Sequence, residues 1–316
     1  MDDAVGGGSC VPDGDVESAG AKGALRIMKL VFVHGRSQGG KNAEELRLFW
    51  EGCLDRAFHK AGLAWPKEAE VVLPFYADDL DRMVEQVNSP LVTNVMLRGA
   101  PQVSDKEMMR VEILQEMLDA QGNASEKIEA QFAGQPRERG PQNWPWVLAM
   151  LRALDSTLLG GDAIDAITRD VWVYVTFGGV RAKIDAIVSA AIPAEPCVVV
   201  AHSLGTIVAY NILSGRTPDS QAMPLILTLG SPLGIRAISA RLHKPLVMPA
   251  AVNAWFNARD RRDTVALYEL DSDHFDITPS IENYSGVDNF TDNRHSIDGY
   301  LADPLVARRI HTALSL

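Results

Sequence analysis

The sequence predicts an α/β protein: a mostly parallel central sheet with helices on both faces and one inserted helical block. Three observations lead there. Short apolar runs rich in β-branched residues alternate with stretches of helical period. The runs "KLVFV" (29–33) and "CVVVAH" (197–202) are apolar throughout their interiors, as strands covered on both faces must be. The segment 79–178 breaks the alternation with helical stretches and no clear strand, and it is too long for an ordinary connection.

Residues 1–26 are rich in Gly, Ser and Asp without apolar period, which predicts a disordered tail. Met28 heads the first structured run and is a candidate natural start of translation. The first part of the core, 27–78, opens with the strand 29–33. A helix over 42–62 follows, with Leu46, Phe49, Trp50, Cys53, Leu54, Ala57 and Phe58 on one stripe, Asn42 as its start and Gly62 as its end. A second strand spans 69–76, ended or bent by Pro74. Within 79–178, helices are expected at 107–121 and 144–159, divided by the Pro- and Gly-rich stretch 133–142. This block reads as a cap or lid over the carboxyl edge of the sheet. The second part of the core, 179–316, resumes with a helix at 181–192, the strand 197–202 and a helix at 204–214. Strands are expected at 225–232, 252–258 and 264–270, then a helical region from about His295 to the end.

The composition of the 316-residue chain, 47% hydrophobic and 22% charged, is that of a globular protein able to bury a sizeable core. A net charge of −11 argues against a nucleic-acid partner and gives no attraction to an anionic membrane surface. Cys10, Cys53 and Cys197 are far apart, odd in number and outside any metal-ligand spacing, which fits a reducing, cytoplasmic compartment. Neither a signal-peptide pattern after Met1 nor an apolar run of membrane-spanning length is present, so no integral membrane segment is expected.

The chemistry concentrates at "AHSLG" (201–205), where a buried strand meets a helix. A serine at such a bend is forced into a strained backbone, and small residues two before and two after let strand and helix approach. Its hydroxyl then stands at the carboxyl edge of the sheet, beside the amides that open the following helix. The five-residue pattern alone would arise by chance in about one chain in five of this length. Its position between strand and helix makes Ser203 a candidate nucleophile. Ala201 replaces the usual Gly and is still small.

Acyl transfer needs two donors aimed at the developing oxyanion. The Leu204 amide is one candidate. The other is the Arg36 amide in "VFVHGRS", where Gly35 lets the chain turn inward. His34 is expected to brace that loop. A base and an acid should follow the serine in the order acid, then histidine. His295, in the polar loop "NRHSIDGYL", is the expected base, with His274 as the alternative; His243 comes too early and His311 lies inside the last helix. "WFNARDRRDTVAL" offers Asp263, favoured by its place before an apolar run, and Asp260, whose other reading is to cap the turn or pair with a neighbouring arginine. Ser231 in "GSPLG" either lines the site or makes a turn. The run "DSDHFD" (271–276) lacks the glycine that a calcium loop needs at its sixth position, so it reads as an acidic surface loop and no metal is expected.

Taken in order, "VFVHGRS", "VVVAHSLG", "GSPLG", "WFNARDRRDTVAL" and "NRHSIDGYL" resemble the signatures of the α/β-hydrolase superfamily, on its lipase- and esterase-like side. The resemblance covers about two thirds of the chain and leaves out 79–178. It implies Ser203, Asp263 and His295 as a catalytic triad, Arg36 and Leu204 as the oxyanion hole, no cofactor, and a small-molecule ester or acyl substrate chosen by the cap. The absence of Asp or Cys at position 203 argues against a dehalogenase, an epoxide hydrolase or a dienelactone-type enzyme. Thioesterase, amidase or peptidase, and acyltransferase chemistry are alternatives on the same residues; a non-catalytic receptor is the alternative from another class. Met108, Met109, Met117, Met150, Trp144 and Trp146 would either line an acyl funnel or form the core of the cap.

Overall fold

The computed structural model describes residues 28–36, 38–67, 69–87, 105–120, 161–217, 223–292 and 294–316, with backbone alone at 118 and 161–167. The expected tail and the expected helix over 144–159 lie outside these residues, as do Trp144, Trp146 and Met150.

Strands β1 (Lys29–Val33), β2 (Glu70–Val72), β3 (Cys197–His202), β4 (Leu225–Leu229), β5 (Trp255–Ala258) and β6 (Glu282–Tyr284) form one six-stranded sheet. Every pairing is parallel, in the order β2-β1-β3-β4-β5-β6. The chain leaves β1 toward β2 on one side and continues to β3 on the other. The carboxyl ends of β1 and β3 therefore flank the switch point, where a crevice opens in sheets of this kind.

Side chains alternate between two cores, as the two-residue period of a strand demands. Val31, Val33, Val199, Ala201 and Ile226 face one side, while Leu30, Phe32, Val198, Val200 and Leu227 face the other. Helices α1 (Ala43–Lys60), α8 (Ile297–Leu301) and α9 (Pro304–Leu314) cover the second face with Trp50, Leu54, Tyr300 and Ile310. Helices α2 (Ala77–Val87), α3 (Asp105–Ala120), α4 (Gly161–Thr176), α5 (Gly178–Ala191), α6 (Leu204–Ser214) and the short α7 (Arg236–Ser239) share the first core. Helix α1 carries the expected stripe except for Phe49, which is 48% exposed. Asn42 caps it by accepting from the amides of Glu44 and Glu45 at 2.8 and 3.1 Å. Met109 and Met117 of α3 are buried in the first core, whereas Met108 is exposed. Among the described residues no helix is long and apolar enough to cross a membrane.

Four strand expectations need correction. The strand at 225–232 shortens to Leu225–Leu229, because Gly230 turns away with φ 57° and Pro232 opens a short 3₁₀ turn. The ladder at 69–76 shortens to Glu70–Val72, because Pro74 has no amide to donate. In 252–258 only Trp255–Ala258 runs along β4, with Val252 in an isolated bridge to Met223. The apolar run 264–270 is not a strand. Its backbone groups are taken by side chains instead of a ladder. Asp263 Oδ1 accepts from the Val265 and Ala266 amides, the Arg259 guanidinium donates to the Ala266 and Leu267 carbonyls, and Asn283 Oδ1 accepts from the Leu270 amide. Val265, Ala266 and Leu270 are buried all the same, so an apolar run of this kind misleads a reading by burial alone. The strand at that edge of the sheet, beside β5, is β6, from the short sequence "ENY". The terminal helical region is divided at Asp303, whose carboxylate caps α9 through the Leu305 and Val306 amides.

Candidate active site

Strand β3 is buried along its whole length and ends at His202; Ser203 makes the bend, and α6 follows at once. Ser203 has φ 55° and ψ −129°. For a residue with a Cβ this conformation costs on the order of 1–3 kcal/mol, and it persists only where the surroundings impose it. Here the Ser203 amide donates to the Leu229 carbonyl at 3.1 Å, extending the β3–β4 ladder into the bend. Close approach from β1 does the rest. A Cβ at Gly35 would lie 2.8 Å from that of Ser203, and one at Gly205 would lie 2.3 Å from the Val33 carbonyl oxygen. Both positions require glycine.

The Ser203 hydroxyl lies 2.8 Å from His295 Nε2, and His295 Nδ1 lies 2.7 Å from Asp263 Oδ2. Asp263 is an acceptor only when ionised, so Nδ1 carries the proton and Nε2 accepts from the serine. Ser203 and Asp263 are buried, at 2% and 1% exposure, and the His295 side chain is 12% exposed. Burial by itself would raise the Asp263 carboxyl. The His295 imidazole, the Tyr300 hydroxyl and the Val265 amide outweigh it and hold the carboxyl below its usual value. Asp260 turns elsewhere: its oxygens accept from the Arg262 and Asn289 amides, both at 2.8 Å, and from the Arg262 guanidinium. His274 stacks on Tyr268 at 4.1 Å and lies 2.8 Å from Asp271. The structure thus brings together Ser203, Asp263 and His295 and leaves Asp260 and His274 in turns of their own.

The residue before His295, Arg294, also has a positive φ of 53°. Its guanidinium donates to the Asn289 carbonyl, and Asn289 Nδ2 donates to the Ser296 carbonyl at 2.8 Å, so the loop carrying the histidine is closed on itself. A further imidazole sits behind it. His202 Nε2 donates to the His295 carbonyl at 2.8 Å, with the two rings 4.7 Å apart. Burial and the neighbouring His295 pull the His202 imidazole down to about 3. It is a neutral brace.

On the other side stands the loop after β1. His34 is fully buried: Nδ1 donates to the Gly35 carbonyl at 2.7 Å, and Nε2 accepts from the Tyr76 amide at 3.2 Å. The Tyr76 hydroxyl donates to the His34 carbonyl, and the two rings stack at 4.0 Å. Burial holds the His34 imidazole down at about 4 despite the Gly35 bond. His34 is the loop brace that the sequence suggests. The Arg36 guanidinium donates to buried Asp170 on α4 at 2.7 Å. The Gly40 amide donates to Asp78 on α2, also at 2.7 Å. Leu204 is the first residue of α6, where an amide has no acceptor within its own helix. Ser231 is buried; its Oγ accepts from the Leu233 amide at 3.3 Å and lies 2.9 Å from Thr206 Oγ1, which donates to the Ser203 carbonyl at 2.7 Å. It forms the turn and steadies the bend.

Sequence reasoning missed Tyr300, His202, Tyr76 and Asp170. His202 and Tyr300 lie within the quoted motifs, one residue before Ser203 and five after His295. Tyr76 and Asp170 carry no local signal.

No protein-family model matches the chain, and comparisons with curated proteins and with solved structures find no match. The fold is that of an α/β protein with an all-parallel six-stranded sheet.

Proposed function

We propose that the protein is a serine hydrolase of carboxylic esters that works through an acyl-enzyme on an α/β-hydrolase fold. The observation that carries this reading is the unbroken chain Ser203–His295–Asp263, with contacts of 2.8 and 2.7 Å, hung on a serine held at φ 55°. It lies at the carboxyl end of β3, beside the switch point of the sheet.

In the proposed reaction Ser203 Oγ attacks the acyl carbon while His295 Nε2 takes its proton. Asp263 holds the imidazole and stabilises its charged form. The amides of Leu204 and Arg36 stabilise the tetrahedral oxyanion; a lost donor of this kind typically lowers kcat about 10²–10³-fold. His295 then protonates the departing alkoxide. A water activated by the same nitrogen attacks the acyl-enzyme, and Ser203 leaves with the proton restored. We assign the segment around α2, α3 and α4 as the cap that selects the acyl group. The burial of Met109 and Met117 supports a packing role for these two methionines rather than a funnel.

A series of p-nitrophenyl esters from acetate to laurate tests the reading. Wild-type protein is expected to turn over at least part of the series, and Ser203→Ala to lose that turnover. A preference for acetate over every longer chain would remove a lipid-like substrate. Turnover unchanged in folded Ser203→Ala would overturn the proposal.

A further inference from the structure

We infer that Tyr300 is a positioning residue of this site: its hydroxyl orients the Asp263 carboxylate and tempers how strongly that carboxylate draws the His295 proton. The inference rests on the acyl-transfer reading, but its core is a coupling between three side chains.

Tyr300 is fully buried on α8. Its hydroxyl lies 2.6 Å from Asp263 Oδ2, the oxygen that also faces His295 Nδ1. The Asp260 amide donates to the same hydroxyl at 3.2 Å. That amide occupies the acceptor side of the phenol, so its single proton is committed to Asp263. Burial and the charge of Asp263 push the phenol well above its ordinary pKa, which keeps it a donor. Asp263 Oδ1 meanwhile takes the Val265 and Ala266 amides at 2.8 and 3.4 Å. The carboxylate is thus gripped on both oxygens, and the phenol competes with the imidazole for Oδ2. Packing supports the placement: a Cβ at Gly230 would come within 3.1 Å of the Tyr300 ring, His295 Nδ1 and Asp263 Oδ2 alike.

The consequence has a sign. Without the phenol, the negative charge on Oδ2 is less shared and the imidazolium is better stabilised. A stronger phenol donor does the opposite. A residue that only filled space would change stability and leave this titration where it was.

The experiment is an NMR titration of the His295 imidazole in the full chain: wild type, Tyr300→Phe, and protein with 3-fluorotyrosine at position 300. The account expects the titration midpoint to rise by about half to one pH unit in Tyr300→Phe, as loss of one charge-assisted hydrogen bond implies. It expects a smaller fall in the fluorinated protein, which keeps the ring and so reads out even if the phenylalanine variant folds poorly. The acidic limb of kcat/KM for ester hydrolysis should move in the same directions, with kcat roughly tenfold lower in Tyr300→Phe. Midpoints unmoved in both variants, or moved in the same direction, would overturn the inference. If the midpoints shift as expected and no ester is turned over, the coupling stands and the hydrolase reading fails. If esters are turned over and the midpoints stay put, the reverse holds.

Discussion

The two walls of the site are held by different means. The wall that carries Ser203, His295 and Asp263 is fixed by the sheet and by close-range bonds. The β3–β4 ladder runs into Ser203, Asp263 Oδ1 takes the amides two and three residues on, and His202 grips the His295 carbonyl. The facing wall, residues 34–36 and 38–40, is fixed from outside. Tyr76, Asp78 and Asp170 reach it from beyond β2, from α2 and from α4, the last across 134 positions of sequence. One wall is part of the core; the other is clasped by it. In this account chemistry sits on the first wall, and the second aims the oxyanion donor.

Cutting the acid on the core wall is expected to have the largest effect. Asp263→Asn keeps the shape but favours the wrong imidazole tautomer, and should lower kcat about 10⁴-fold with little change in fold. Asp260→Asn should cost far less activity and act mainly on stability, because that carboxylate serves the Arg262 and Asn289 amides. Equal losses of kcat in the two variants would erase the distinction between them.

Loosening the clasped wall should do less. Asp170→Asn weakens the hold on Arg36, and kcat is expected to fall about tenfold, with KM nearly unchanged if the loop acts on the transition state. It also leaves Arg36 and Arg169 without their shared carboxylate. A change confined to KM would assign the loop to substrate binding.

A separate effect is on stability rather than on rate, and it touches both walls. His34 and His202 are held neutral by burial, at about 4 and about 3, against an ordinary value of 6.5. Between the lowered and the ordinary values the unfolded chain binds more protons than the folded one. Stability therefore falls as the pH drops from about 6.5 toward 4, on the order of 3 kcal/mol for each imidazole. Urea unfolding across this window checks it. His34→Gln should flatten the slope, and an unchanged slope would mean that other groups set it.

The same contrast explains what could be read in the sequence. Ser203 was legible because a buried strand, a bend and a helix start coincide within a few residues. His295 and Asp263 were legible from chain order, although the choice of Asp263 over Asp260 drew on an expected strand at 264–270 that does not form. The clasp was not legible. Nothing near Arg36 points to Asp170, and α4 contains Val171, Val173 and Val175, β-branched residues with low helix propensity that obscure a helix. The strand β6 was hidden by its length: three residues show no alternation. Sheet order, which sets Gly35 beside Ser203, follows from pairing between distant segments and leaves no trace in either one.

The most direct measurement is labelling of folded wild-type protein with a fluorophosphonate, with the modified residue located by mass spectrometry of its peptides. The account predicts a single phosphonylated residue, Ser203, with labelling abolished in Ser203→Ala and strongly slowed in Asp263→Asn. Folded protein that takes no label, or takes it at another residue, would contradict it.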